Sequence, residues 1–125
     1  MRSRAFFSIL LGAVILVSFT QTVTAEPINN TTMFKATAET EQGTFHWKYD
    51  AGFFTYEENG ELTNGKQAEQ KVVGLYNQIK PYRHASKEEL AAMVEGNMAA
   101  SLQRLDVRWM DESGNLYTWL YKGDF

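Results

Sequence analysis

Hydrophobic and polar residues alternate with two different periods along this chain, and the change of period separates strands from helices. Between residues 34 and 57 the period is two, which is typical of half-buried β-strands. Turn-forming residues at 41–43 and 50–52 divide this stretch into three short strands, and Glu58-Asn59-Gly60 ends the third. We therefore expect the domain to begin with a three-stranded antiparallel meander.

A helical period follows. After Asn64, which can cap a helix, apolar residues recur on one helix face: Ala68, Val72, Leu75, Tyr76 and Ile79. Pro81 predicts the end of this helix near Lys80. Ser86-Lys87-Glu88-Glu89 has the form of a capping box and predicts a second helix. Its expected apolar stripe is Leu90, Met93, Val94, Met98 and Leu102.

The period returns to two at Leu105, and turn residues at 111–115 predict a closing hairpin. The predicted order is β-β-β-α-α-β-β. This order favours an α+β fold, in which a mostly antiparallel sheet carries both helices on one face. Residues 33–125 would form this single domain, and residues 26–32 would form a flexible lead-in.

The closing hairpin supplies the main candidate site. An even-length turn of two or four residues would place Leu116 and Leu120 on the core face. The opposite face would then carry the candidate binding residues Arg108, Tyr117, Trp119 and Tyr121. Such an aromatic strip beside a guanidinium could stack on sugar rings, hold a peptide or pack against another copy. Alternatively, the meander or the lead-in covers the strip, or these aromatic residues serve only β-propensity.

The N-terminal segment is typical of a secretory signal peptide. Arg2 and Arg4 precede an apolar run from Ala5 to Phe19, and Val23-Thr24-Ala25 is a small-x-small cleavage site. We expect residues 1–25 to be removed after Ala25, so that the protein is secreted or associated with the cell envelope and is not inserted in a membrane. A retained anchor is the alternative, but this run of 15 residues is shorter than a bilayer span.

Charge and cysteine content exclude several classes of function. Residues 26–125 have a net charge of −5, because two of the 12 Lys and Arg and none of the 15 Asp and Glu lie in residues 1–25. We therefore expect no nucleic-acid partner. The chain has no cysteine, which excludes disulfides, thiolate metal sites and a cysteine nucleophile. Export without cysteine favours a bacterial source. Five of the 8 Phe, with all 6 Tyr and 3 Trp, lie in residues 26–125, and these aromatic residues supply large burial per residue to the core.

We expect no catalytic residues. Ser86 and Ser113 are explained by a helix cap and a turn, and the chain has no Gly-x-Ser-x-Gly motif for a hydrolase nucleophile. His46 and His84 could act as bases, yet no sequence signature accompanies either.

We also expect no metal and no other cofactor. His46 and His84 lack the local spacing of zinc ligands, although Asp50 or Glu57 could join them in space. Asp111-x-Ser113-x-Asn115 imitates the start of a calcium loop, but Lys122 occupies the position that requires a bidentate Glu.

The order of elements resembles one known family. The stretches that carry the resemblance are Phe34–Tyr49, Leu62–Ala68, Ser86–Leu90 and Val107–Tyr121. They are similar to the YusW-like family of small exported proteins from Bacillus and its relatives. Members of that family often look like lipoproteins, whereas this chain lacks the required Cys. The family has no assigned activity, so the resemblance implies the fold and export but no mechanism.

These observations favour a non-enzymatic binding protein of the cell envelope or the extracellular space. Its partner would be a protein, a cell-wall component or a second copy of the chain. The alternative is an inhibitor or accessory factor of a secreted enzyme, which would use the 81–85 loop, with Tyr82, Arg83 and His84, and the 111–115 turn. A small metal-dependent enzyme is disfavoured.

Overall fold

A computed structural model describes residues 28–123 as one antiparallel sheet with two helices packed against it. The strands are β1 (Thr31–Thr40), β2 (Gly43–Asp50), β3 (Phe53–Glu58), β4 (Glu61–Asn64), β5 (Leu102–Asp111) and β6 (Leu116–Lys122). The helices are α1 (Gly65–Ile79) and α2 (Lys87–Met98). The strand order across the sheet is β4-β3-β2-β1-β5-β6. The predicted α+β class is confirmed.

The sheet has one strand more than the sequence predicts. Asn59 and Gly60 both adopt positive φ, at 51° and 89°, which is the geometry of a two-residue hairpin turn. The chain therefore does not end its meander at Glu58 but returns as β4, which pairs with β3 from Glu61 to Asn64. Four mostly polar residues give too short an alternation to indicate a strand.

Strand β1 also begins earlier than expected. Thr31 and Thr32, which the sequence places in the flexible lead-in, belong to β1. Thr31 is buried, its hydroxyl lies 2.9 Å from the Tyr76 hydroxyl, and it accepts a hydrogen bond of 2.9 Å from Trp109 Nε1. These bonds join the first strand to α1 and to β5.

Both helices begin at their predicted N-cap residues, and α1 ends at Ile79, next to the predicted end at Lys80. Asn64 is the N-cap of α1 but makes no side-chain cap bond, whereas the Ser86 hydroxyl accepts from the Glu89 N–H at 3.0 Å and caps α2. The predicted stripe of α2 is partly wrong. Met93 is exposed, and Leu102 belongs to β5 instead of extending the helix.

The core lies between the helices and one face of the sheet. Its largest fully buried side chains are Phe34, Leu75, Ile79, Leu90, Leu102, Leu105, Val72, Val94 and Val107. The strand alternation sends the remaining side chains to the other face, called the open face below, which neither helix covers.

The predicted signal peptide and its cleavage site lie outside the described residues. Between residues 28 and 123 no helix is both long enough and apolar enough to cross a membrane.

Candidate functional site

The hairpin between β5 and β6 has a three-residue loop, 112–114, rather than the even-length loop expected. The Asp111 N–H donates to the Asn115 carbonyl at 3.0 Å, and the Gly114 N–H donates to the Asp111 carbonyl at 3.1 Å. Gly114 has a φ of +86°, which fits a type I turn followed by a left-handed residue. An odd number of loop residues shifts β6 by one position relative to β5.

This register reverses the predicted faces of β6. Trp119 pairs with the buried Val107, and Tyr121 pairs with the buried Leu105, so the aromatic residues face the helices. Leu116 and Leu120, which were expected in the core, are 52% and 45% exposed. The predicted open aromatic strip is therefore wrong.

On the core side, Trp109, Tyr117 and Trp119 form a stacked row that we call the aromatic ladder. The ring centroids are 5.3 Å apart between Trp109 and Tyr117 and 6.4 Å apart between Tyr117 and Trp119. Trp119 Nε1 donates to the Ala85 carbonyl at 2.8 Å. This hydrogen bond joins the loop between the helices to the ladder. These contacts give the ladder a packing role.

Arg108 lies apart from the ladder. It projects from the open face, where its Nε is 3.4 Å from Asp106 Oδ1. The four predicted binding residues therefore do not form one surface, because Tyr117, Trp119 and Tyr121 share the opposite face.

The turn that resembles a calcium loop uses its carboxylate internally. Asp111 Oδ1 accepts from the N–H groups of Asn115 and Ser113 at 2.9 and 3.0 Å. The Asn115 backbone hydrogen bond is the main reason that the pKa of Asp111 is lowered. These hydrogen bonds explain the Asp-x-Ser-x-Asn pattern, because the Asp111 carboxylate accepts from backbone N–H groups of its own turn.

The two histidines lie in different parts of the domain. His46 is on the open face in β2, with Nδ1 3.0 Å from Thr37 Oγ1, and His84 is exposed in the loop between the helices. Tyr82 and Arg83 in the same loop are exposed too. Among residues 28–123 no group of three or more His, Cys, Asp or Glu could hold a metal ion.

A cleft of about 450 Å³ lies on the helix side, between the helices and the ends of the N-terminal hairpins. Its wall comes from the turns at Gln42 and Asn59, from β2 and β3, from α1 and from the end of α2. Half of its twelve lining residues are polar or charged, so the cleft has the volume of a small-molecule site but a more polar lining than most such sites.

The floor of the cleft is aromatic. Phe45, Trp47 and Tyr56 line it, with ring centroids 6.1 Å apart for Phe45 and Trp47 and 5.7 Å apart for Trp47 and Tyr56. The Tyr56 hydroxyl donates to Glu58 Oε1 at 2.8 Å. Burial, together with the hydrogen bond to this carboxylate, raises the pKa of Tyr56, so the phenol stays protonated. Lys71 Nζ lies 5.4 Å from the Tyr56 ring centroid, within cation–π range.

The rim of the cleft is rich in amides. Gln42, Gln70 and Asn97 are exposed at its edge, and each amide can both donate and accept hydrogen bonds. Asn59 has a structural task at the same edge, because its Oδ1 accepts from the Thr44 N–H at 2.9 Å. The rim is therefore suited to ligands with many hydroxyl or amide groups.

One wall of the cleft contains a glycine, which has no side chain to fill the cleft. Gly74 lines the cleft from the middle of α1, where a Cβ would meet no atom within 4 Å. Glycine inside a helix costs about 0.5–1 kcal/mol relative to alanine. Neither packing nor positive φ requires it at this position. Its local effect is to leave the cleft open.

The sequence does not single out this site. The lining residues come from four separate stretches of the chain, 42–47, 56–59, 70–75 and 97–98, and no sequence motif joins these stretches. Gly74 was the available signal, since it interrupts a helix whose apolar stripe is otherwise regular.

No family model, no curated protein and no solved structure matches this chain. The resemblance to the YusW-like family therefore stays a prediction.

Proposed function

We propose that this chain is an exported, non-enzymatic binding protein that holds a component of the cell envelope in the cleft between its helices and its N-terminal hairpins. The pattern of residues 1–25 supports export. The single observation that carries the proposal is the pairing of an aromatic floor with a rim of exposed amides in a cleft of about 450 Å³.

The chemistry of the lining favours an uncharged ligand that carries hydroxyl and amide groups. The amides of Gln42, Gln70 and Asn97 can match both donors and acceptors, and the aromatic floor offers apolar contact. The two charges at the cleft, Lys71 and Glu58, are each engaged by Tyr56. A neutral oligosaccharide of N-acetylglucosamine has this combination of groups.

The matched glycines of the two helices allow a direct test. Gly74→Leu would place a side chain in the cleft. Gly96→Leu is the matched control, because Gly96 is also a glycine inside a helix, α2, where a Cβ meets no atom within 4 Å. Both substitutions should stabilise their helices by roughly 0.5–1 kcal/mol. A loss of binding in Gly74→Leu could then not be caused by unfolding.

The experiment is isothermal titration of the purified protein with an N-acetylated tetrasaccharide, followed by mass spectrometry of the recovered sugar. We expect binding by the wild type and Gly96→Leu, weaker binding by about tenfold or more for Gly74→Leu, and an unchanged sugar. Equal affinities for the two variants would contradict the site, and a cleaved sugar would contradict the non-enzymatic role.

A further inference from the structure

The open face carries a row of basic residues that crosses three neighbouring strands. The register pairs Lys48 of β2 with Lys35 of β1, and it pairs Lys35 with Arg108 of β5. All three side chains lie on the same face, because they occupy directly opposed positions. Neighbouring strands are about 4.8 Å apart, so the row extends about 10 Å between β2 and β5.

This arrangement places like charges side by side on the sheet. Like charges directly opposite each other on a sheet are destabilising. Within residues 28–123 the ion pairs are Arg104 with Glu39 and Arg108 with Asp106, and neither Lys35 nor Lys48 takes part in one. Among these described residues, the adjacent ammonium groups of Lys35 and Lys48 therefore have no carboxylate within ion-pair distance, although residues 26–125 carry a net charge of −5.

The two lysines border a depression that supplies further hydrogen-bond donors. Its volume is about 450 Å³, and the polar side chains that line it are Lys35, Thr37, His46, Lys48, Thr55 and Glu57. Lys35 and Lys48 place two positive charges beside the Thr55 hydroxyl, whereas the Thr37 hydroxyl lies 3.0 Å from His46 Nδ1. Ammonium and hydroxyl donors together match the several acceptor oxygens of a phosphate group.

We propose that the open face binds a linear oligophosphate, which lies along Lys48, Lys35 and Arg108 with one end in the depression. Several linked phosphates are needed because the row is longer than a single phosphate group. This site is on the opposite face of the sheet from the cleft, so it stands or falls independently of the proposed function.

Replacing Glu57 should change oligophosphate affinity in the opposite direction from replacing a lysine of the row. Its carboxylate lines the same depression and repels an anion there. Glu57→Gln should therefore strengthen oligophosphate binding, whereas Lys35→Gln and Lys48→Gln should weaken it. Lys66→Gln is the matched control, because Lys66 is an exposed lysine of α1 outside the depression.

The test is isothermal titration of the purified protein with tripolyphosphate and with orthophosphate at low ionic strength. We expect tripolyphosphate to bind more tightly, Lys35→Gln and Lys48→Gln each to weaken it by about tenfold, Glu57→Gln to tighten it, and Lys66→Gln to match the wild type. Far-ultraviolet circular dichroism should show all four variants folded, since none of the four side chains belongs to the hydrophobic core.

Three results would overturn the proposal. The first is the absence of tripolyphosphate binding by the wild type. The second is an equal loss in Lys66→Gln, which would mean attraction to surface charge in general. The third is unchanged or weaker binding by Glu57→Gln, which would place the anion away from the depression.

Discussion

The register of β6 can be tested by comparing Trp119→Ala with Leu120→Ala. Trp119 is only 9% exposed, and replacing a buried Trp by Ala typically costs about 3–5 kcal/mol. About 1 kcal/mol of this cost belongs to the hydrogen bond from Trp119 Nε1 to the Ala85 carbonyl. Leu120 is 45% exposed, so its truncation should cost less than about 1 kcal/mol.

The assay is urea unfolding followed by far-ultraviolet circular dichroism, which does not depend on Trp119 as a reporter. A small domain has roughly 5–15 kcal/mol of stability, so Trp119→Ala should lower the midpoint strongly without changing the slope with urea. Trp119→Phe loses the indole N–H but keeps a ring, so its urea midpoint should lie between those of Trp119→Ala and Leu120→Ala. A larger loss for Leu120→Ala than for Trp119→Ala would refute the three-residue loop and restore the opposite face assignment.

Three further substitutions test local features of the fold. Gly43→Ala should destabilise the protein by about 1–3 kcal/mol in urea unfolding, because Gly43 has a φ of +136° and its Cβ would overlap the Asn59 amide; a change near zero would contradict this. Gly96→Ala should raise the thermal midpoint through a gain of roughly 0.5–1 kcal/mol, and a lower midpoint would show that α2 needs its glycine. The hydrogen bond from the Asn115 backbone lowers the native pKa of Asp111 below its unfolded value. The ionised carboxylate therefore stabilises the fold at pH values above the unfolded pKa. This stabilisation is lost as the pH falls through the native pKa. Asp111→Asn should thus lose less stability than the wild type between pH 6 and pH 3, and equal losses would contradict the assignment.

Much of the fold follows from local signals in the chain. The helix cap at Ser86, the stop before Pro81 and the period of two in β1 and β2 are each fixed by residues close in sequence. The predicted face of β6 is the main error, because it depends on whether the loop after Asp111 has an even or an odd number of residues. Gly114 indicates the correct loop length, because glycine in the left-handed position is typical of the three-residue loop.

The candidate sites were harder to predict because they depend on distant pairings. The alternation of β1 and β2 gives the faces of Lys35 and Lys48, but the alignment of Lys35 with Arg108 joins residues 73 positions apart. The cleft requires the relative placement of α1, α2 and two hairpin turns, which no local pattern specifies. Sequence periodicity records burial along one element and carries no distances between elements.

The two edges of the sheet differ in a way that affects how molecules of this protein meet. β4 ends one edge after only four residues, Glu61–Asn64, and a short, polar edge strand offers little for another chain to pair with. β6 ends the other edge with seven residues that carry a single charge, at Lys122, and within residues 28–123 no strand pairs with its outer side. A segment of this length, rich in aromatic and β-branched residues and free of proline, readily adds a further strand. We therefore expect any pairing of sheets between molecules to favour β6 over β4.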